Sequence, residues 1–541
     1  MKATRTDTMK NEIKYEKSEL ELMTTYQLRE ICRREKIMNG VIHPLDKEEL
    51  IQTIMRYMGK RQDFLICDRK KGGEERVEEF LKNTRIVIKP SEELYCQSQI
   101  LAYEGLSIEY YDGYTIPYKK ELSGTNAFLM GSDMTLCAIL NLKEHGGRQE
   151  KLYLTKAAEL ETRETQRKDY RIFCMGRQNS ECMYHLYYGE QTILPEHIEV
   201  YSIPLIDFVV RKPVTLMLPM AIDFGSVNTT AGVYLDSAYF EHVGQQAAIK
   251  NCRENEINYT VFEDGAGESM LLPSVIGVLA VEEEDDKLLF GYDAIRLANA
   301  SYVDEGFCVF YDVKRWIGEY DKEEEIVDRQ GRRRLVKRAE ILRRFFLYII
   351  RKTENRFKCR ISQVHISSPV KQKHYFRRMF REILPEYMIN QEIMLDEGMA
   401  VLYNTISNML EQDTLEENEE YEALIIDCGG GTTDLCSYRF RIQDRRAAYK
   451  IYMETTYENG DTDFGGNNIT YRIMQILKIA LVRAKGNQNV SSVKEILEYM
   501  DTDIYRFIDS HGVKEFYQYE KNHYAGHAGG RGSRDQDFRT G

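Results

Sequence analysis

Paired cysteines, a positive charge balance and long apolar runs are all missing from this 541-residue chain, and each absence removes a class of protein. The eleven cysteines are scattered, with no Cys-x-x-Cys pair and no regular spacing. That argues against a disulfide framework or a structural zinc site and fits a reducing cytoplasm. Lysine and arginine (74) are outnumbered by aspartate and glutamate (87), giving a formal net charge of -13. General binding to nucleic acid or to an anionic membrane is disfavoured, because such partners demand a net basic face; a local basic patch stays open. The N-terminus, MKATRTDTMKNEIKYEKSELE, lacks an apolar signal core, and the longest apolar stretch, around Val214 to Ile222, is too short to span a bilayer. No repeat of short period is evident. What remains is the composition of a soluble globular protein, 43% apolar and 30% charged, long enough for about three or four domains.

The stretch around which the chain is organised is Leu424 to Leu435, LIIDCGGGTTDL. An apolar run ending in Asp427 reads as a buried strand, and three glycines then allow a turn tight enough to aim amide N–H groups at an anion such as phosphate. Thr432 and Thr433 add hydroxyls, and Asp434 opens the next strand, where a carboxylate can order a water or a hydrated metal ion. Met220 to Val233, MAIDFGSVNTTAGV, repeats the logic of strand, Asp, Gly, small hydroxyl residues and strand. Two such hairpins suggest two related half-domains gripping one phosphate chain.

Residues 1–18 are charged and aperiodic and read as a loose arm. In residues 19–62, Thr24 or Thr25 can cap one helix through Leu28 and Ile31, and Asp46 a second through Leu50 and Ile54. Residues 63–215 carry short alternating segments such as RIVIKP, TLCAILNLK, KLYLT, ECMYHLYYG and IEVYSIPLIDFVV, which predict a β-rich domain. Tyr184, His185, Tyr187 and Tyr188 are read there as half-buried strand residues. From Leu218 strands alternate with amphipathic helices, notably Ala339–Phe357 and Tyr375–Ile383. The Arg332–Arg334 triplet reads as a solvated turn in preference to a nucleic-acid contact, and the acidic run Glu411–Glu422 as a linker.

These motifs resemble the actin-like ATPases, and specifically the nucleotide-binding domain of the seventy-kilodalton heat-shock (DnaK-type) chaperones. IDFGSVNTTAGV is similar to that family's first phosphate loop and LIIDCGGGTTDL to its second; LPSVIGV, FYDVKRWIG, VHISSPVKQKHYFRRMF, LDEGMAVLY and NGDTDFGGNNIT resemble further family segments in the same order. The resemblance implies an α/β, two-lobed, ribonuclease-H-like fold over 216–522, binding ATP with Mg2+ and hydrolysing it as lobes close, with a protein client or partner. It implies phosphate contacts from Gly225, Ser226, Val227, Asn228, Gly429, Gly430, Gly431 and Thr432, with Gly465 and Gly466 near the nucleotide. Asp223 and Asp427 would hold the metal through water, and Lys314, Glu397, Thr432 and Asp434 would carry hydrolysis. The KEELI of Lys47–Ile51 echoes SAP-type helix-loop-helix modules, which implies duplex DNA or a docking partner for 19–62.

Val227 stands where the family has a hydroxyl residue, and Asp396-Glu397-Gly398-Met399 where it has Asn-Glu-Pro-Thr. After Gly466 no apolar strand leads to the family's adenosine-binding Gly-Gly-Ser/Thr turn, so the expectation is either a fragment of a longer protein or an incomplete nucleotide site, with 523–541 as a disordered tail. A non-catalytic or filament-forming scaffold on the same fold is the competing expectation.

Overall fold

The computed structural model describes residues 15, 20, 23–34, 46–58, 64–470 and 473, with gaps at 91, 146–149, 245, 265–266, 283–285, 301–307, 329–330, 370–371, 390–395, 445–448 and 462–463. Most of the 1–18 arm and all of the 523–541 tail lie outside the described residues. The architecture is mixed α/β.

Two capping boxes start the N-terminal helices α1 (Thr25–Arg34) and α2 (Lys47–Met58). Thr24 Oγ1 accepts from the Gln27 N–H at 3.3 Å while Gln27 Oε1 accepts from Thr24 at 2.9 Å, and Asp46 and Glu49 exchange the same pair of bonds at 2.9 and 3.0 Å. Leu28, Ile31 and Cys32 of α1 close against Leu50, Ile51 and Ile54 of α2 in a small separate core.

Next come helix α3 (Gly73–Asn83), strands β1 (Arg85–Lys89), β2 (Gln99–Tyr103), β3 (Thr115–Pro117), β4 (Thr125–Gly131), β5 (Leu136–Lys143), β6 (Lys151–Thr155) and β7 (Tyr170–Cys174), helix α4 (Arg177–Tyr188), and strands β8 (His197–Leu205) and β9 (Asp207–Arg211). Seven of these strands form one mixed sheet in the order β1-β8-β7-β4-β5-β6-β3, parallel only at β1–β8. Strand β4 is buried along its whole length because its two faces feed two cores: Ala127 and Leu129 one, Phe128 and Met130 the other, beneath α3 and α4. The segment ECMYHLYYG is therefore not a strand. Its buried residues Cys182, Met183 and Tyr187 recur at helical spacing on α4, and Gly189, in the left-handed region (φ 75°), closes the helix. Tyr184, His185 and Tyr188 are half-buried helix residues.

From 216 onward the chain builds further sheets, and two of them carry the glycine turns. In the first, β10 (Met220–Phe224), β11 (Asn228–Leu235) and β12 (Glu256–Tyr259) run antiparallel to one another, and β13 (Gln363–Ile366) and β14 (Met388–Ile389) add on in parallel, giving the order β12-β11-β10-β13-β14. Helix α5 (Arg338–Phe357) covers this sheet with a stripe of Ile341, Leu342, Phe345, Phe346, Ile349 and Ile350. Phe346 packs edge-on against Phe224 at 4.9 Å between ring centroids and against Phe380 of α6 (Lys373–Ile383) at 4.7 Å. This aromatic stack fixes the end of β10, where the first glycine turn begins. After α7 (Glu397–Glu411) the second sheet is an antiparallel trio, β15 (Tyr421–Cys428), β16 (Thr433–Asp444) and β17 (Tyr449–Asp461), with α7 on one face over Tyr438 and Phe440.

The β-rich unit is fastened to the far end of α5. Lys358, in the left-handed region at the helix C-cap, is buried; its ammonium pairs with Asp112 at 2.8 Å and donates to Ser107 O at 3.0 Å. Asn355 accepts from the Ser107 N–H at 2.9 Å, and the Arg356 guanidinium lies over the Tyr111 ring. The arginine triplet is spent locally: Arg332 pairs with Asp328, Arg333 with Glu325 and Arg334 with Asp286, around the hairpin of strands Glu323–Val327 and Arg333–Lys337. No helix among the described residues is long and apolar enough to cross a membrane.

Candidate functional site

The two glycine turns close in the same way. In the first, the Gly225 N–H donates to Asn228 O at 3.1 Å; in the second, the Gly429 N–H donates to Thr432 O at 2.9 Å. Each bond spans four residues and joins two antiparallel strands of its own sheet. Gly225 is required sterically, since a Cβ there would stand 2.3 Å from Asn228 O. Ser274, from the LPSVIGV segment, braces the first turn: its hydroxyl donates to Gly225 O at 2.7 Å and bonds Thr229 Oγ1 at 2.9 Å, and its N–H donates to Val227 O at 2.8 Å.

Although they belong to different sheets, the turns face each other. A Cβ on Gly430 would lie 2.2 Å from Val227 Cγ2, and one on Gly431 would lie 2.7 Å from Ser226 Oγ and 3.2 Å from an Asp312 carboxylate oxygen. The 465–468 turn seals a third side: the Gly466 N–H donates to Gly429 O at 2.9 Å and the Asn467 N–H to Gly430 O at 2.7 Å. Gly465 lies so close to the carbonyls of Gly429 and Gly430 that a Cβ would stand 2.7 and 2.6 Å from them. Ser226 is buried and its hydroxyl has no hydrogen-bond partner, an unusual state for a buried polar atom and one that a ligand oxygen would relieve.

The charged groups converge beside this seam. Lys314, on the short 3-10 helix Val313–Glu319, pairs with Glu397 at the start of α7 at 2.7 Å, with only 5% and 11% of the two side chains exposed. Burial pushes the Glu397 carboxyl up to about 7; Lys314 pulls the other way, and Asp223 and Asp434 raise it further. Glu397 thus senses Lys314, Asp223 and Asp434, although the four come from separate elements. Asp434 is buried, and Gly460 makes room for it, since a Cβ there would be 2.5 Å from its carboxylate. Asp223 is exposed and accepts from Ser367 Oγ at 2.8 Å. Asp427 stands directly across the β15–β16 ladder from Asp434.

Of the phosphate, metal and catalytic residues named from the sequence, those of the two glycine turns meet at the seam, Gly465 and Gly466 close on it, Asp223, Asp427 and Asp434 stand on strands leading into it, and Lys314 and Glu397 pair beside it. Among the described residues no three His, Cys, Asp or Glu side chains gather as a metal-ligand set. The sequence reading passed over Asp312, Ser274, Ser367 and Lys373. Asp312 is buried, adopts φ 51° and lies between the turns, 3.7 Å from Arg315. Each stands inside a motif already quoted, but nothing in the local pattern distinguishes it from its neighbours.

A scan against protein-family models finds no match to this chain, and a search of the curated proteins finds none.

Proposed function

We propose that residues 216–470 form the phosphate-gripping part of an ATPase site of the actin-like, DnaK-type class, which binds ATP with Mg2+ and couples hydrolysis to closure of its two lobes. One observation carries this reading: two glycine turns of the same closure, from separate sheets, face each other beside a buried Lys314–Glu397 pair. Phosphoryl transfer needs positioning and charge neutralisation more than covalent help, and the residues supply both. The amides of the turns and the Ser226 and Thr432 hydroxyls cradle phosphate oxygens. Mg2+ supplies charge neutralisation on the phosphates. Lys314 sets a fixed cation at the transferred group, and Glu397 with Asp434 orders the attacking water, Glu397 being poised by its raised pKa to hold or release a proton near neutrality.

Lys314→Ala tests the reading. Single-turnover hydrolysis should fall about a hundredfold, the equivalent of about 3 kcal/mol of transition-state stabilisation, while ATP affinity changes only modestly. Equal hydrolysis rates in wild type and variant would remove Lys314 from the catalytic set.

One observation favours a second reading, a non-catalytic scaffold. The apolar side chain of Val227 stands against Gly430, where the two turns meet and phosphate recognition favours hydroxyls. Concentration-dependent pelleting without ATP turnover would select this alternative, and steady turnover by a monomer would exclude it.

A further inference from the structure

Lys373 is the first residue of α6, yet a cation there is opposed by the positive end of the helix dipole. Its partners explain the position. Helix α6 belongs to the first sheet, whose core holds Phe376, Met379, Phe380 and Ile383. The Lys373 ammonium leaves that unit and reaches Asp396 Oδ2 at 2.8 Å and Glu458 Oε1, on β17 of the second sheet, at 3.4 Å. Asp396 is fully buried and already engaged on its other oxygen, where it accepts from the Tyr438 hydroxyl at 2.9 Å and caps α7 by accepting from the Met399 N–H at 2.6 Å. Burial alone would lower the Lys373 pKa; Asp396 first and then Glu458 outweigh it, and the ammonium is held above its ordinary range.

Asp396 and Glu397 are consecutive, and each is met by a lysine anchored on the side of the first sheet: Lys373 at 2.8 Å and Lys314 at 2.7 Å. A single pair would let the first turn of α7 pivot. Two pairs at successive residues pointing to different elements fix its rotation as well as its position. The backbone adds a third tie, the Glu397 N–H donating to Ser368 O at 3.2 Å.

We infer that Lys373 is a positioning residue, whose bridge to Asp396 and Glu458 clamps the start of α7 between the two sheets and thereby holds Glu397 against the glycine seam. The clamp stands on geometry alone, and only its effect on turnover rests on the ATPase reading above. It predicts that the lobes do not shift at this point without breaking the Lys373 bridge.

The test uses the full chain with Lys373→Met, Lys373→Arg and Asp396→Asn, the last retaining a good helix cap. Amide hydrogen exchange at residues 398–401 should quicken about tenfold in Lys373→Met and Asp396→Asn, with exchange at 376–383 unchanged, and Lys373→Arg should restore wild-type protection. Single-turnover hydrolysis at saturating ATP should drop about tenfold in Lys373→Met with ATP affinity held within about threefold, and recover in Lys373→Arg. Unchanged exchange at 398–401, or equal loss in the Arg and Met variants, would overturn the inference. A wild-type chain that fails to hydrolyse ATP would refute the ATPase reading and leave the clamp to be decided by exchange.

Discussion

Replacing Lys314 with methionine keeps most of the side-chain volume and removes the cation from a pair in which Lys314 is buried and Glu397 nearly so. Stranding a buried carboxylate in this way ordinarily costs about 3–5 kcal/mol. Glu397 has a route of escape, because its carboxyl already titrates near neutrality and the main influence lowering it is Lys314 itself. Without that lysine the carboxyl takes a proton at still higher pH. Since its folded pKa lies above the unfolded one, the native state binds the extra proton, and stability falls as pH rises through the interval between the two values. In wild type that interval ends near pH 7; in Lys314→Met it extends upward. At pH 6 the variant should therefore lose only the value of one hydrogen bond, about 1–2 kcal/mol. Each further pH unit above 7 should widen the gap by up to about 1.4 kcal/mol until the full cost of a stranded charge is reached. Urea unfolding of wild type, Lys314→Met and the double variant Lys314→Met/Glu397→Gln, from pH 6 to pH 8.5, measures this directly. The double variant should regain stability at pH 8.5, where Glu397 would otherwise be ionised. A gap independent of pH, or a double variant no more stable than the single one at pH 8.5, would refute the buried-pair account.

Gly465→Ala places a Cβ against the carbonyls of Gly429 and Gly430, backbone atoms that cannot yield, so the 465–468 turn should lift off the second glycine turn and nucleotide affinity should fall at least about tenfold in a calorimetric titration. Lys358→Met leaves Asp112 buried without its cation, and should destabilise the junction between the β-rich unit and α5 by about 3 kcal/mol, seen as faster proteolysis within 104–113 while the N-terminal helix pair is unaffected. In a rate–pH profile, hydrolysis should inflect near pH 7 as Glu397 titrates, and the inflection should vanish in Glu397→Gln.

Local pattern was enough to mark both glycine turns, the acids at the strand ends, α5 and α6, and the N-caps of the first two helices, because each depends on residues within a few positions of one another. The same local logic failed at ECMYHLYYG. Aromatic residues suit a strand as readily as a helix packed on a sheet, and only the apolar surface of β4 beneath it settles the choice in favour of α4. Two relations lay beyond any local pattern. Nothing near Lys314 points to Glu397, 83 residues away, and nothing near Val227 points to Gly430; these contacts arise when packing brings the two sheets together. The sequence by itself determined which residue types stand at the turns, since glycine, hydroxyl and carboxylate are dictated by backbone geometry and charge. Tertiary structure alone decided which carboxylates are buried, which lysines meet them and how close the turns approach, because burial and Coulomb interactions depend on distances that chain order does not contain.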